Sequence, residues 1–134
     1  MIKKGEKMKG YHTDIETQTI KNNYFRKVLF TGYHSQLVLM TLKPGEEIGS
    51  EVHEENDQFF RFEEGNGKVV INGEEFLVKD GDAVVVPAGS EHNIINLSKT
   101  EALKLYTIYS PAHHPGGTIH KTKEEAMEAE EHEH

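Results

Sequence analysis

Two glycine-framed groups of polar residues constrain the fold of this 134-residue chain more than any other feature. The members of the first group, between positions 45 and 65, are Gly45, Glu51, His53, Gln58 and Gly65. The members of the second, between positions 81 and 96, are Gly81, Pro87, Gly89, His92 and Asn96. Glycine and proline mark turns, whereas histidine and carboxylate side chains are common metal ligands. The chain therefore carries candidate ligands on short segments that are separated by tight turns.

The sequence between positions 36 and 110 consists of short apolar or β-branched segments with turn residues between them. This pattern is typical of a β-sandwich or β-barrel. The predicted strands are Gln36–Leu42, Gln58–Glu63, Lys68–Ile71, Glu74–Val78, Ala83–Val86, His92–Leu97 and Ala102–Tyr109. Asn72-Gly73 separates two of them and predicts a two-residue hairpin, because both positions of that turn need positive φ. We therefore expect an all-β fold.

The flanking sequences predict fewer elements. Tyr24–Thr31 predicts a further strand, either at a sheet edge or exchanged with a neighbouring subunit. A helix is expected only at the C-terminus, where residues 122–125 fit a capping box and acidic residues follow. The predicted organisation is an N-terminal segment with edge strands over residues 1–35 and a barrel core over residues 36–110. A His/Pro/Gly turn and an acidic helix or tail then occupy residues 111–134.

The two groups resemble the two signature motifs of the cupin superfamily, whose members fold as a small β-barrel around one metal ion. The family motifs are G-x5-H-x-H-x3,4-E-x6-G and G-x5-P-x-G-x2-H-x3-N. The second is met here at every defined position, and the first keeps its spacing but has Glu51 and Gln58 in place of His and Glu. The resemblance covers roughly residues 36–110. It implies a single cupin barrel, of the double-stranded β-helix or jelly-roll type, similar to short proteins described as mannose-6-phosphate isomerase-like.

The resemblance also implies which side chains hold the ion. Carried over position by position, the family pattern gives these metal ligands: Glu51, His53, Gln58 and His92. Since side chains alternate between the faces of a strand, Glu51 and His53 are expected to point the same way. Asn96 is expected to brace the backbone and not to touch the ion.

The departures from the family pattern compensate each other. The usual set of three imidazoles and one carboxylate becomes two imidazoles, one carboxylate and one amide, and both sets carry one negative charge. The chain has no cysteine, so the ligands must be nitrogen and oxygen atoms. The cofactor is therefore expected to be one divalent ion, with Mn, Fe, Ni, Co, Cu and Zn all open. Gln58 either coordinates the ion or hydrogen-bonds a water that does.

Aromatic and aliphatic residues near the motifs predict an apolar pocket beside the ion. Phe60 and Phe62 share a face with Gln58 if their strand is regular. Tyr106 and Ile108 are predicted to line the same pocket. Core packing explains all four side chains equally well.

Other candidate residues have several interpretations. His113, His114 and His120 follow the last predicted strand and form a lid, a second metal site or an exposed turn, of which the turn is favoured. Arg61 is expected on the outer face of its strand, in a salt bridge or a subunit interface. Few basic residues lie near the motifs in sequence, with Lys43 and Arg61 the nearest, and this disfavours a phosphosugar isomerase.

Three classes of function stay open. The first is a metal-dependent enzyme, of the dioxygenase or sugar isomerase/epimerase type, acting on a small polar molecule in the barrel. The second is a non-catalytic module that binds or senses a small molecule, and the third is a metal-free assembly unit.

Composition indicates which kinds of partner the protein binds. The net charge of −8 argues against nucleic acid, since phosphate binding needs a basic face. No apolar stretch predicts a membrane span and no secretion signal is evident, so a cytoplasmic protein is expected. A homodimer is expected for all three functions because sheet edges favour association.

Overall fold

The computed structural model of this chain describes residue 5 and residues 7–132. Residues 1–4, 6, 133 and 134, which belong to the predicted N-terminal segment and acidic tail, lie outside the described residues. The elements of the described part are α1 (Ile15–Lys21), β1 (Arg26–Thr31), β2 (Gln36–Leu42), β3 (Glu51–Val52), β4 (Asp57–Glu64), β5 (Asn66–Ile71), β6 (Glu74–Lys79), β7 (Ala83–Val86), β8 (Glu91–Asn96), β9 (Leu103–Ser110), β10 (Ile119–His120) and α2 (Lys123–His132).

Two antiparallel sheets enclose one apolar core. The six-stranded sheet has the order β10-β1-β2-β9-β4-β7, and the four-stranded sheet has the order β3-β8-β5-β6. Every strand predicted from the sequence is present, with its ends within two residues of the expected positions. The prediction of an all-β jelly-roll barrel with a short C-terminal helix is therefore confirmed.

The central strand β2 is buried on both faces, as its apolar sequence predicts. Met40 and Leu42 belong to one core cluster with Phe60 and Phe62 of β4. Burying each such side chain stabilises the fold by about 1.5–3 kcal/mol. Leu39 points away from this cluster and is also buried, because α1 packs on that side of the sheet.

The hairpin between β5 and β6 follows from two residues. Asn72 has φ of +48° and Gly73 has φ of +84°, so both turn positions lie in the left-handed region. Ile71 and Glu74 pair directly on either side of the turn. The predicted two-residue hairpin is confirmed, and its register directs Val69 and Val78 into the core.

The N-terminal region differs from the prediction. Residues 15–21 form α1, whose N-cap Asp14 accepts a hydrogen bond from the Thr17 amide at 3.1 Å. The helix was not predicted because it is short and rich in threonine and isoleucine, which are weak helix formers. β1 is not an edge strand, since it pairs with β2 on one side and with β10 on the other. The edge is β10, whose two residues are too few to be recognised in the sequence.

No helix among the described residues is long and apolar enough to cross a membrane.

The free sheet edges bear on the expected homodimer. Leu77 of β6 is 77% exposed and Val85 of β7 is 61% exposed, and both strands lie at the end of a sheet. Apolar edge strands favour association with a second copy.

We expect a dimer mass in sedimentation equilibrium for the wild type and a monomer mass for the double variant Leu77→Lys/Val85→Lys. The exposed Tyr33→Lys serves as the control, and a monomeric wild type would contradict the prediction.

Candidate metal centre

One end of the barrel gathers polar side chains from both motifs. β3 pairs with β8 so that Glu51 lies opposite His92. Gln58 of β4 lies opposite Tyr109 of β9 in the other sheet and is buried. His53 follows β3 directly and is buried as well. The structure therefore brings together the four side chains to which the motifs point.

His53 connects the loop after β3 to the rest of the site. Its Nε2 atom is 3.3 Å from Glu51 Oε2, and its ring centre is 5.3 Å from that of His92. Its carbonyl oxygen accepts a hydrogen bond of 2.9 Å from the amide of Gly89. Gly89 has φ of +83° in the turn before β8, a conformation that favours glycine. This backbone hydrogen bond fixes the two motifs relative to each other.

The tautomer of His92 follows from its hydrogen bond. Nδ1 of the ring is 3.0 Å from the carbonyl oxygen of Ser90. A carbonyl oxygen only accepts, so Nδ1 carries the proton and donates. In the neutral ring Nε2 then keeps its lone pair, which is the form that binds a metal ion.

Gln58 presents a buried oxygen atom without a hydrogen-bond partner. Its Nε2 atom donates to Thr107 Oγ1 at 3.0 Å. Its Oε1 atom is buried and accepts no hydrogen bond from the described residues. Such an orphaned acceptor costs about 1–3 kcal/mol, and native structures keep one only where something else satisfies it. A cation, or a water bound to one, would satisfy this oxygen.

Glu51 is held in its charged form. Burial works to raise the pKa of Glu51, but the hydrogen bond with His53 and the attraction of nearby Arg26 outweigh it, leaving the pKa below its ordinary value. The carboxylate therefore supplies one negative charge beside the imidazoles over the whole neutral range.

Two cavities lie at this end of the barrel. The smaller has a volume of about 10 Å³ and lies between Arg26, Glu51, Gln58 and His92. This space suits a single water or a single ion. The larger cavity, about 210 Å³, opens between the barrel and α2. Both are lined by Arg26, Ile48 and Glu51, so a molecule in the larger cavity would lie beside the ion-sized one.

Three of the proposed ligands line the smaller cavity, and His53 lies outside this lining but contacts Glu51. Their side-chain types fit a divalent ion. Two imidazoles on one ion, each bound at about 2.1 Å, have ring centres roughly 5 Å apart. The His53 and His92 rings are 5.3 Å apart, and the charged Glu51 lies beside them. Within the described part of the chain, no group of three or more His, Asp or Glu side chains is already arranged as a metal cage. The fit therefore depends on Gln58 Oε1 as the further donor and on small side-chain adjustments.

Comparison with known proteins identifies the fold family. The family model of the cupin domain matches residues 38–109, which is more than half of the chain. The chain belongs to the cupin family. It is 46% identical over 129 residues to YrkC of Bacillus subtilis, which covers 92% of this chain and 69% of YrkC. It is 47% identical over 113 residues to L612 of Acanthamoeba polyphaga mimivirus, which covers 81% of this chain and 70% of L612.

The barrel also matches a solved cupin structure over nearly its full length. The crystal structure of BH2720 from Bacillus halodurans superposes with a TM-score of 0.87 at 40% identity, covering 96% of this chain and 99% of BH2720. The match therefore extends beyond the two motifs to segments on both sides of them.

In this cupin the histidine-rich segment after β9 covers the site. Gln36 Oε1 accepts hydrogen bonds from the amides of His113 and His114, and its Nε2 atom donates to the His114 carbonyl. The His113 ring centre is 4.2 Å from that of His53. Of the three interpretations of this segment, the structure favours the lid, although the His113 side chain is exposed as expected for a turn.

The groups at the base of this lid are neutral. Burial and the nearby positive charge of Arg26 lower the pKa of His114 to about 2, so its ring carries no charge. Burial likewise raises the pKa of Tyr109, whose hydroxyl is 3.3 Å from His114 Nε2. Neither group adds positive charge that would repel a cation in the cavity.

The structure corrects part of the predicted pocket lining. Phe60 lines the smaller cavity, and Phe62 lies deeper in the core. Tyr106 and Ile108 point to the outer face of β9, because the inward face is occupied by Thr107 and Tyr109. The predicted placement of Tyr106 and Ile108 in the pocket is therefore wrong by one position in the strand alternation.

Two expectations about residues near the site are met. Arg61 lies on the outer face and forms a salt bridge of 3.0 Å with Glu63. The Asn96 amide donates to the carbonyl oxygens of Leu42, Lys43 and Glu101 and so braces three backbone segments. Both residues are thus structural.

Arg26 is the functional candidate that the sequence did not reveal. It is the first residue of β1, far from both motifs in sequence, yet its side chain is 2% exposed and lines both cavities. A basic residue at a strand start is ordinarily solvated, so nothing in its local sequence marks it.

Proposed function

We propose that this cupin binds one divalent metal ion through Glu51, His53, Gln58 and His92, and that the ion faces a small polar molecule in the larger cavity. The observation that carries the proposal is the buried Gln58 Oε1 beside an ion-sized space, an atom that accepts no hydrogen bond within the described part of the chain. This observation disfavours a metal-free assembly unit. In such a protein, an apolar side chain at this position would make the fold more stable than a buried oxygen without a partner.

The chemistry of the donor set supports a first-row transition metal. Two imidazoles and one carboxylate are the ligands of many Mn, Fe, Co, Ni, Cu and Zn sites. Four donors with a single negative charge leave a divalent ion with net positive charge. A bound ion of this kind polarises a carbonyl or orients an oxygen-rich substrate.

The surrounding residues provide the environment for that chemistry. His113 and His114 lie against His53 and Tyr109 on one side of the site, and α2 borders the larger cavity on the other. Ser90 and Thr107 orient two of the proposed ligands through hydrogen bonds, so the donors are held in place before an ion arrives. Hydrogen bonds that hold a ligand side chain in place raise metal affinity.

We infer a metal-dependent enzyme, of the dioxygenase or sugar isomerase/epimerase type, as the best-supported class. An ion next to an open cavity would contact a substrate bound there and activate it. A non-catalytic binding module is the alternative, and it uses the same ion and cavity.

Metal analysis with turnover screening tests this proposal. We expect one equivalent of metal per chain in protein made in metal-supplemented medium, and weaker binding below about pH 6.5, where free imidazole takes up a proton. Small hydroxy acids, keto acids and sugars are then screened in air and without oxygen. Turnover supports the enzyme, and ligand-dependent stabilisation without turnover supports the binding module. Protein that stays metal-free under saturating conditions would contradict both.

A further inference from the structure

The strongest unassigned feature is the buried guanidinium of Arg26. Its Nε atom is buried and has no hydrogen-bond partner among the described residues. Its NH1 group donates to His120 Nδ1 at 3.1 Å, and lies 3.7 Å from Glu130 Oε1. A guanidinium deprived of water needs anionic partners, and leaving an N–H group unsatisfied is unfavourable. The carboxylates of Glu51 and Glu130 offset the charge of Arg26. Its Nε–H group nevertheless has no hydrogen-bond acceptor among the described residues.

Glu130 is a weak partner that belongs to the chain itself. It lies on α2, its side chain is 51% exposed, and its oxygen is beyond ordinary hydrogen-bond distance from Arg26. The pair is therefore long, and its carboxylate partner remains half exposed to solvent although Arg26 is buried. The same carboxylate lines the larger cavity together with Lys123 and Met127 of α2. Glu130 thus shows that a carboxylate reaches this side of Arg26 from the cavity.

We propose that Arg26 binds the carboxylate group of a small organic acid that occupies the larger cavity, and that Glu130 takes the place of this carboxylate when the cavity is empty. The planar guanidinium offers parallel N–H donors that match a carboxylate, and its Nε atom is a donor without a hydrogen-bond partner among the residues described. The volume of about 210 Å³ accepts a molecule far larger than one water.

The charges around the cavity select a carboxylate over a phosphate. Arg26 and Lys123 are opposed by Glu51 and Glu130, so the lining carries no excess positive charge. A dianionic phosphate would meet two carboxylates, whereas a monoanionic acid that displaces Glu130 leaves the balance unchanged. The sequence-based argument against a phosphosugar substrate therefore still stands, although a basic residue does lie at the site.

The position of Arg26 also suggests the shape of the acid. Because Arg26 lines both cavities, an acid held by its guanidinium would place the atoms next to its carboxylate toward the smaller cavity. A hydroxyl or keto oxygen on the carbon next to the carboxylate would face the metal centre, which favours 2-hydroxy or 2-oxo acids. The preference for 2-hydroxy or 2-oxo acids rests on the proposed function, whereas the contact between Arg26 and the carboxylate does not.

Calorimetric titration with named probes tests the proposal. L-lactate, pyruvate and propionate are the carboxylates, lactamide is the uncharged control, and inorganic phosphate is the competing anion. Each is titrated into Mn²⁺-loaded and into metal-stripped protein. We expect the three acids to bind both forms, lactamide to bind neither, and Mn²⁺ to improve the affinity for lactate and pyruvate but not for propionate.

Two charge-removing variants on the same helix sharpen the test. Glu130→Gln is expected to tighten carboxylate binding about two- to fivefold, because the competing carboxylate is gone. Glu128→Gln removes the same charge from an exposed position of α2 and is expected to change nothing. Arg26→Gln is expected to weaken binding on the order of tenfold or more, while the bound metal is retained. Glu130→Gln keeps the test decisive if Arg26→Gln does not fold.

Several outcomes would overturn the proposal. These are equal binding of lactate and lactamide, tighter binding of phosphate than of any acid, and equal affinities for Glu130→Gln and Glu128→Gln. Metal content is measured on the same samples. Protein that takes up no metal at saturating Mn²⁺ and still binds acids through Arg26 refutes the metal proposal alone, and metal-loaded protein that binds none of the acids refutes the carboxylate proposal alone.

Discussion

Replacing His92 with alanine is expected to lower the affinity for divalent metal by more than about a hundredfold, because even loss of a residue that only hydrogen-bonds a metal ligand commonly lowers affinity about 10–100-fold. His92 lies on β8 with its Nδ1 atom bonded to Ser90, so its Nε2 lone pair is preoriented toward the small cavity. Equilibrium dialysis against Mn²⁺ or Zn²⁺ with elemental analysis measures the effect. We expect Gln58→Ala to weaken binding less, since a neutral amide oxygen is the weakest of the four donors.

The control for this experiment is another histidine of the same chain. His34 is exposed in the turn between β1 and β2, so His34→Ala removes one imidazole without touching the site. It is expected to bind metal like the wild type. Equal metal content in wild type and His92→Ala would contradict the ligand assignment, and circular dichroism of each variant checks that the barrel is intact.

Replacing Gly65 with alanine is expected to lower the free energy of unfolding by about 3 kcal/mol, from backbone strain and overpacking together. Gly65 has φ of +110°, and an added Cβ would lie 2.7 Å from the Ala102 carbonyl oxygen and 3.1 Å from Leu103 Cα. Both contacts are with the backbone of β9 or the residue before it, which cannot move without disturbing the central sheet. A loss of this size is a large fraction of the stability of an ordinary domain.

Gly81→Ala is the matched control, because the two glycines differ in surroundings and not in conformation. Gly81 also has positive φ, at +90°, but nothing lies within 4 Å of its added Cβ. It is expected to lose only about 1 kcal/mol, from the backbone alone. Urea unfolding followed by far-ultraviolet circular dichroism suits this chain, which has no tryptophan. Equal losses for both variants would show that the contacts of Gly65 do not matter.

The barrel could be predicted from the sequence because local and long-range signals agree. The run from Gln36 to Leu42 is apolar at nearly every position, and Asn72-Gly73 permits little besides a tight hairpin. The spacing of glycines around Glu51 and His92 then fixed which strands meet, since the motif pattern carries long-range information that periodicity lacks.

The rest depends on tertiary contacts that leave no local trace. α1 is stabilised by packing on β2 and β9 and by the link between Asn22 and Thr41, none of which its seven residues reveal. Arg26 reaches the site only because β1 and β2 are aligned in register. The face of Tyr106 was assigned wrongly, since both faces of β9 carry apolar residues and the alternation cannot be phased from sequence alone.

The central claim is that side chains from both motifs converge on one cation, and anomalous diffraction from crystals loaded with Mn²⁺ or Zn²⁺ tests it most directly. The account predicts one peak at the small cavity, about 2.0–2.3 Å from Glu51, His53 Nε2 and His92 Nε2. A peak at His113, His114 or His120 instead, or no peak at saturating metal, would contradict it.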